Sequence, residues 1–173
     1  MTFSIKKNQS ITFIGMPGAG KSYISNILSN HFNLPLTDLD SNIEKKYNLP
    51  LPQIIDKYGE KKFKEIEKQS ILDIDFSTKS IISTGGSVIY CQDGMDYLKN
   101  DNNIIIFLLA DFDLLKNRTE NFTNRGIVFN NLTPLQLFHE RNVLYSKYSD
   151  YSFDFNNKDY EYICNFFHML SNN

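Results

Sequence analysis

The sequence predicts an α/β domain with three layers, in which a parallel sheet of about five strands is covered by helices on both faces. Short apolar, β-branched runs alternate along the chain with amphipathic segments of helical period, a pattern typical of strand–helix–strand units. The first apolar run also breaks into a glycine-rich turn that leads straight into a helical segment. The 173 residues suffice for a single domain, residues 1–173, with a sizeable core.

Five apolar runs are predicted as strands: residues 11–14, 34–37, 80–84, 103–109 and 151–155. The run at residues 103–109 is the most apolar, so we expect it to be the central strand of the sheet. Helical periodicity, with Gly59 as a stop and Pro134 in a first turn, predicts helices at residues 21–31, 41–47, 53–57, 60–74, 93–100, 111–119, 133–148 and 158–170. Residues 120–131 are polar and rich in Asn, so we expect a mobile loop there. Right-handed crossovers should bring the loops after the strands to one edge of the sheet, around one site.

Composition excludes several classes of protein. The net charge is −2, which disfavours nucleic acid as the main partner. No apolar stretch approaches the length of a membrane span, and no long apolar run follows the basic pair near the N-terminus, so neither a membrane protein nor a signal peptide is expected. Cys91 and Cys164 lack the spacing of a metal site or a disulfide framework, which indicates packed thiols in a reducing compartment.

The first turn has the spacing Gly15-x4-Gly20-Lys21-Ser22, which is that of a phosphate-binding P-loop. Glycines let backbone N–H groups converge on phosphate oxygens, and the following helix directs its positive end at the same anion. Lys21 can reach the β- and γ-phosphates of ATP, and the Ser22 hydroxyl can ligate Mg²⁺. A chance glycine-rich loop is the alternative, but the strand–loop–helix context favours the P-loop. The predicted nucleotide site consists of Gly15, Gly18, Ala19, Gly20, Lys21, Ser22 and Tyr23, together with Arg118 and Arg125.

Asp38 and Asp40 follow the second strand with one residue between them. On an extended backbone both side chains would point the same way. Asp38 is then placed to hold the Mg²⁺ shell, and Asp40 to accept a hydrogen bond from a substrate hydroxyl and orient or deprotonate it. The alternative is a helix N-cap for Asp40 and a solvated turn for Asp38.

Gly85-Gly86-Ser87 follows the strand at residues 80–84 and can form a second concavity of N–H groups for a substrate's oxygens, although an ordinary tight turn is the alternative. Arg141 lies mid-helix beside apolar residues. It is either a surface residue with a buried stem or a two-pronged clamp for a carboxylate.

Arg125 belongs to the polar loop, where a basic residue on a closing lid can neutralise charge on the transferred phosphoryl group and exclude water. Arg118, at the end of the predicted helix 111–119, is placed to stack on an adenine ring. A favourable interaction with the helix C-terminus is the alternative for Arg118.

In order and spacing, these pieces resemble the shikimate kinases, which are small P-loop kinases. The resemblance spans residues 11–154 and rests on the motifs Gly15–Ser22, Asp38-Leu39-Asp40, Phe63-Lys64-x-x-Glu67, Thr84-Gly85-Gly86-Ser87, Asn124-Arg125, Glu140-Arg141-x-x-x-Tyr145 and Ser149-Asp150. It implies Mg²⁺-dependent transfer of the ATP γ-phosphate to the 3-hydroxyl of shikimate by a cytoplasmic monomer. Asp40 would contact substrate hydroxyls, and Arg141 would bind the carboxylate. The segment of residues 41–74 would help to bind the acceptor, and residues 120–131 would form the lid.

The chain departs from the family pattern on the acceptor side. Lys64 stands where the family has a second carboxylate-binding arginine, and Ser87 stands where it has a third glycine. In the lid, Gly126 replaces a stiffening proline after Arg125. Two alternatives therefore remain beside shikimate phosphorylation: a kinase for a different hydroxylated acceptor, and a nucleotide-binding module without acceptor catalysis.

Overall fold

A parallel five-stranded sheet forms the centre of the molecule in the computed structural model, which describes residue 6, residues 8–118 and residues 132–171. Its strands are β1 (Ser10–Ile14), β2 (Leu36–Asp38), β3 (Ile81–Ser83), β4 (Asn103–Leu108) and β5 (Tyr151–Phe153), in the spatial order β2-β3-β1-β4-β5. The predicted α/β fold class is thereby confirmed. The prediction that residues 103–109 are central was wrong, because β1 holds the middle position. Any interior strand covered on both faces becomes apolar, so composition does not reveal its rank in the sheet.

The helices alternate with the strands as the periodicity predicted, and they are α1 (Lys21–Phe32), α2 (Leu39–Tyr47), α3 (Leu51–Leu72), α4 (Gln92–Leu98), α5 (Phe112–Arg118), α6 (Pro134–Tyr148) and α7 (Tyr160–Ser171). The backbone of α3 leaves helical geometry at Gly59, where φ is 79°, which matches the predicted stop. A short 3₁₀ turn at Val88–Tyr90 was not predicted. No helix in the described part of the chain is both long and apolar enough to span a membrane.

Both faces of the sheet are covered, because every residue of β1, β3 and β4 is buried and successive side chains point to opposite faces. On β1, Ile11 lies between Ile81 of β3 and Ile104 of β4. The helix α1 contacts β3 and α7, while α6 contacts β4 and the 3₁₀ turn. With this rigid centre, the loops at the carboxyl ends of β1, β2 and β3 are held next to one another.

The end of α6 is tied to the sheet by Asp150. Its carboxylate oxygen Oδ2 accepts a hydrogen bond from the backbone N–H of Ile105 at 2.8 Å, and its own N–H donates to the carbonyl oxygen of Ile105 at 2.8 Å. At its start, α6 is closed by a capping box between Thr133 and Gln136. Both ends of α6 are therefore fixed, and this helix carries Arg141 and Tyr145 toward the site.

Candidate active site

A cavity of about 610 Å³ opens at the carboxyl ends of the strands. Its walls come from the P-loop, the start of α2, the start and middle of α3, the turn after β3, the end of α5 and the middle of α6; they include Gly18, Gly20, Lys21, Ser22, Tyr23, Asp38, Asp40, Glu44, Phe63, Glu67, Thr84, Gly85, Gly86, Ser87, Arg118 and Arg141. The cavity thus brings together most of the residues that the sequence singled out.

The P-loop wraps the start of α1. Gly20 is the N-cap residue of this helix with φ 95°, a conformation that side chains rarely adopt. Because glycine offers no side chain to cap the helix, the amide groups of the first turn are left for an anion. The Lys21 ammonium is buried and donates hydrogen bonds to the carbonyl oxygens of Gly15 at 2.9 Å and Met16 at 3.1 Å. Positive charge is therefore held over the loop where phosphate oxygens would sit.

Ser22 and Asp38 form the pair predicted to bind metal. The Ser22 hydroxyl donates to Asp38 Oδ2 at 2.8 Å, and its oxygen lies 3.3 Å from the hydroxyl oxygen of Ser83. Burial by itself raises the pKa of Asp38, but hydrogen bonds from the Ser41 N–H and from the Ser22 and Ser83 hydroxyls outweigh it and hold the pKa below its usual range. The result is an ionised carboxylate beside a hydroxyl, which is a hard-oxygen set that suits Mg²⁺.

The predicted backbone geometry of the aspartate pair was wrong. Asp38 is the N-cap of α2, where its Oδ1 accepts from the Ser41 N–H at 3.0 Å, and Asp40 already lies in the first helical turn. The alternative interpretation was right that an aspartate caps this helix, but the cap is Asp38 and not Asp40. Both side chains still line the cavity, because the first helical turn carries Asp40 inward from the capped strand end.

Asp40 lies beside a second acid, Glu67 of α3. A methyl group placed on Gly85 would stand 2.7 Å from Asp40 Oδ1 and 3.2 Å from Glu67 Oε1, so both carboxylates approach the same point of the turn. Burial raises the pKa of Asp40 to about 6, although Lys21 acts in the opposite direction. Burial also raises the pKa of Glu67 to about 7, and the nearby Asp40 adds to that rise. The cavity thus holds two proton-binding groups that titrate near neutral pH.

Arg141 is 1% exposed, which rules out the interpretation as a surface residue with a buried stem. Its guanidinium carbon lies 5.4 Å from the centre of the Tyr90 ring, and its Nη1 lies 3.1 Å from the position of a Cβ on Gly86. One turn along α6, the buried Tyr145 donates its hydroxyl proton to the Gly86 carbonyl oxygen at 2.7 Å. The turn after β3 is therefore clamped by two residues of α6.

Lys64 does not line this cavity. Its side chain is exposed and lies in a neighbouring groove, on the far side of Glu67 and Ser87. The Ser87 hydroxyl donates a short hydrogen bond to Glu67 Oε1, so its side chain turns toward α3. Lys64 lies outside because it follows Phe63 by one position, and Phe63 is the side chain that this turn of α3 buries.

Arg118 and Tyr23 lie at the edge of the cavity, and both also line a smaller one of about 100 Å³ between α1 and the segment after β5. Arg118 Nη1 lies 3.4 Å from the Gly18 carbonyl oxygen and 3.4 Å from Asn156 Oδ1. An exposed guanidinium at this place can cover a flat ring. Arg125, by contrast, and residues 119–131 lie outside the described residues.

Three residues that contact predicted site residues were assigned no role from the sequence, namely Glu67, Ser83 and Tyr145. The sequence did contain a signal for Glu67 and Tyr145. They follow Phe63 and Arg141 by four positions, and residues three or four apart share a helix face. Ser83 ends a buried strand, which offered no such signal.

A family model described as shikimate kinase matches residues 17–170 of the chain. The chain belongs to the shikimate kinase family. A shikimate kinase of Staphylococcus aureus strain MSSA476 is 35% identical over 147 residues, which cover 83% of each chain. Another, from strain JH9, is 37% identical over 127 residues, which cover 73% of this chain and 71% of the relative. The resemblance drawn from the motifs is therefore confirmed.

Solved structures of shikimate kinases share the fold. The enzyme from Aquifex aeolicus matches with a TM-score of 0.78 and 26% identity, over 96% of this chain and 95% of that one. The enzyme from Acinetobacter baumannii, in complex with shikimate, matches with a TM-score of 0.78 and 22% identity, over 95% of this chain and 93% of that one. The predicted P-loop kinase architecture therefore extends over almost the whole chain.

Proposed function

We propose that this protein is an ATP-dependent kinase that transfers the γ-phosphate of ATP to the 3-hydroxyl of shikimate. The observation that carries the proposal is the union, in one cavity, of a P-loop with a fully buried arginine. A phosphate cradle and a carboxylate-binding cation in the walls of one cavity suit a donor that is a nucleoside triphosphate and an acceptor that is a hydroxylated acid. Membership of the family supports shikimate as this acid.

On the donor side, the P-loop amides and the start of α1 bind the phosphates, and Lys21 neutralises charge that develops on the transferred group. Arg118 covers the adenine at the smaller cavity, beside Tyr23. Arg125 remains our prediction for the lid residue that approaches the transferred phosphoryl group. Removal of the Lys21 ammonium is the direct test of the donor side.

Ser22 and Asp38 would hold Mg²⁺. The bound cation would supply positive charge that reduces the repulsion between the phosphate oxygens and an incoming hydroxyl oxygen. The Ser22–Asp38 hydrogen bond and the ionised state of Asp38 support this assignment, since both groups offer oxygen ligands. Asp38 also keeps α2 in place through its cap, so the metal site and the orientation of Asp40 depend on the same residue.

On the acceptor side, Arg141 binds the carboxylate of shikimate, and the turn at Gly85 and Gly86 packs against its ring. Asp40 accepts a hydrogen bond from the reacting hydroxyl and takes its proton. The hydroxyl oxygen forms a bond to the γ-phosphorus while the bond from that phosphorus to the β,γ-bridging oxygen breaks, and ADP leaves. A carboxylate whose pKa is about 6 is ionised at neutral pH and yet basic enough to share this proton.

The test is release of ADP from Mg-ATP, measured with and without shikimate in a coupled assay. We expect shikimate-dependent turnover that is lost in Lys21→Ala. Asp40→Asn should reduce turnover strongly while ATP binding, measured by calorimetry, stays near that of the wild type. ATP binding without stimulation by shikimate would contradict shikimate as the acceptor, and unchanged turnover in Asp40→Asn would remove Asp40 from the chemistry.

A kinase for a different hydroxy acid or polyol is the second candidate. Two observations favour it. Lys64 lies outside the cavity, and the Ser87 hydroxyl donates a hydrogen bond to Glu67. A panel of hydroxylated acceptors in the same assay separates the two candidates. In either case we propose a cytoplasmic monomer that acts on small molecules, as the family resemblance implies.

A further inference from the structure

The wall between the cavity and its neighbouring groove consists of Glu67 and Ser87. The groove, which we call the outer groove, has a volume of about 370 Å³, and its lining includes Lys64, Glu67, Ser87, Tyr90 and Cys91. Glu67 and Ser87 are the two residues that also line the main cavity. Their side chains meet in a hydrogen bond from the Ser87 hydroxyl to Glu67 Oε1. This hydrogen bond closes the boundary between an acceptor site and an exposed lysine.

The surroundings of Glu67 act on its charge in both directions. Burial raises its pKa, and the charge of Asp40 adds to that rise. The hydrogen bond from the Ser87 hydroxyl and the nearby cations Arg141 and Lys64 lower the pKa, and the net result is a value of about 7. Glu67 is only 8% exposed, so water has little access to replace a hydrogen bond that its carboxylate loses. A single donor such as the Ser87 hydroxyl therefore decides how much of Glu67 is ionised at neutral pH.

We propose that Ser87 is a positioning residue that holds the Glu67 carboxylate, in its ionised form, in the wall of the acceptor site. This inference rests on the proposed function, because the site it shapes is that of the acceptor. The charge of the ionised Glu67 attracts Arg141, which lies beside the Gly86 turn, and Lys64, which lies in the outer groove. The carboxylate of the acceptor then meets one cation, Arg141, in one orientation.

Without the hydroxyl, Glu67 loses a donor that favours its charged form and accepts a proton at higher pH. A protonated Glu67 no longer attracts Arg141 and Lys64. We therefore expect Ser87→Ala to lose acceptor affinity, most of all on the acid side of the pH range. One hydrogen bond to a charged group corresponds to about one pH unit in the midpoint.

The experiment measures kcat/KM for shikimate between about pH 5.5 and pH 9 in the wild type, Ser87→Ala, Ser87→Thr and Ser70→Ala. Ser70 lies on the same helix as Glu67 and donates its hydroxyl to the Ile66 carbonyl oxygen at 3.0 Å, which makes it the matched control. We expect the acid midpoint to rise by about one pH unit in Ser87→Ala, so that kcat/KM at the pH of the wild-type midpoint falls about fivefold. Ser87→Thr should restore the wild-type midpoint, and Ser70→Ala should leave it unmoved.

A second set of variants separates charge from packing. In a Glu67→Gln background, the further change Ser87→Ala should no longer shift the acid midpoint, because the group that it tunes is gone. An equal loss at every pH in Ser87→Ala, or the same shift in both backgrounds, would overturn the proposal.

The titration of Glu67 itself can be followed without any substrate, by carboxyl ¹³C NMR of protein labelled at Glu and assigned with Glu67→Gln. We expect its midpoint to rise in Ser87→Ala, and an unmoved midpoint would overturn the proposal. Absence of shikimate turnover in the wild type contradicts the proposed function instead, and it leaves the NMR result to judge the role of Ser87 alone.

Discussion

Substitution of Gly86 by alanine should uncouple the two halves of the site. The added Cβ would stand 2.7 Å and 2.8 Å from the ring carbons Cδ and Cγ of Pro17, and 3.1 Å from Arg141 Nη1. Carbon atoms in contact lie about 3.5–4.0 Å apart, so the P-loop and the turn must separate by about 1 Å. Neither the proline ring nor the buried Arg141 can rotate away easily. Donor and acceptor would then be held about 1 Å too far apart for efficient transfer.

The expected loss is about 100-fold in kcat/KM, since a displacement of about 1 Å in a reacting pair has this order of effect. Such a loss corresponds to about 2.7 kcal/mol of transition-state stabilisation. The free energy of unfolding should also fall, by about 1–3 kcal/mol, as is usual for an overpacked interior. Coupled ADP release gives the rates, and urea denaturation gives the stability and the folded fraction by which the rates are corrected.

Gly94→Ala is the matched control. Its Cβ would meet Ile71 Cδ1 at 2.8 Å and Cys91 Sγ at 3.0 Å, a similar crowding, but Gly94 lies in α4 and lines neither the main cavity nor the outer groove. We expect a loss of stability with kcat/KM close to that of the wild type. A folded Gly86→Ala protein whose kcat/KM is within about threefold of the wild type would refute the argument that this turn sets the spacing of the two halves.

Three further predictions follow from individual contacts. Lys21→Ala should lower turnover by about 1000-fold or more, since the charge over the phosphates is lost; a coupled-assay rate within tenfold of the wild type would exclude that role. Tyr145→Phe should cost about 1 kcal/mol of stability in urea denaturation and raise KM for shikimate more than KM for ATP, because the Gly86 carbonyl oxygen loses its donor; unchanged KM values would contradict this. Glu67 binds its proton more tightly in the folded state than in the unfolded one, so its contribution to stability is lost as pH rises toward and through about 7. Between about pH 5 and pH 8, Tm should therefore fall less in Glu67→Gln than in the wild type, and parallel curves would show that burial of Glu67 is not the cause.

Local signals in the sequence were enough for most of the fold. The period of the apolar residues located the five strands and the helices, and the spacing from Gly15 to Ser22 located the phosphate loop, because both depend on neighbours in the chain. The position of a strand within the sheet does not depend on its neighbours in the chain. It depends on the crossovers that place β3 and β4 on either side of β1, and the residues of β1 do not indicate that order.

The sequence predicted which residues line the site better than it predicted the contacts between them. Asp38, Asp40, Gly85 and Arg141 meet at the edge where parallel strands end, as the topology required. Exclusion of Lys64 and the hydrogen bond between Ser87 and Glu67 depend on how far α3 is rotated against the turn after β3. Such a rotation is set by the packing of Phe63 and Ile66 in the interior, which a pattern of residue types does not report.

We propose that one cavity binds ATP and shikimate together and directs transfer to a single hydroxyl. Incubation of the enzyme with Mg-ATP and shikimate, followed by two-dimensional ³¹P–¹H NMR of the products, tests this proposal. We expect ADP and one phosphorylated shikimate whose phosphorus is coupled to the proton on carbon 3, and no such product with Lys21→Ala. Release of inorganic phosphate alone, or phosphate on a different hydroxyl, would show that the cavity does not direct the transfer in this way.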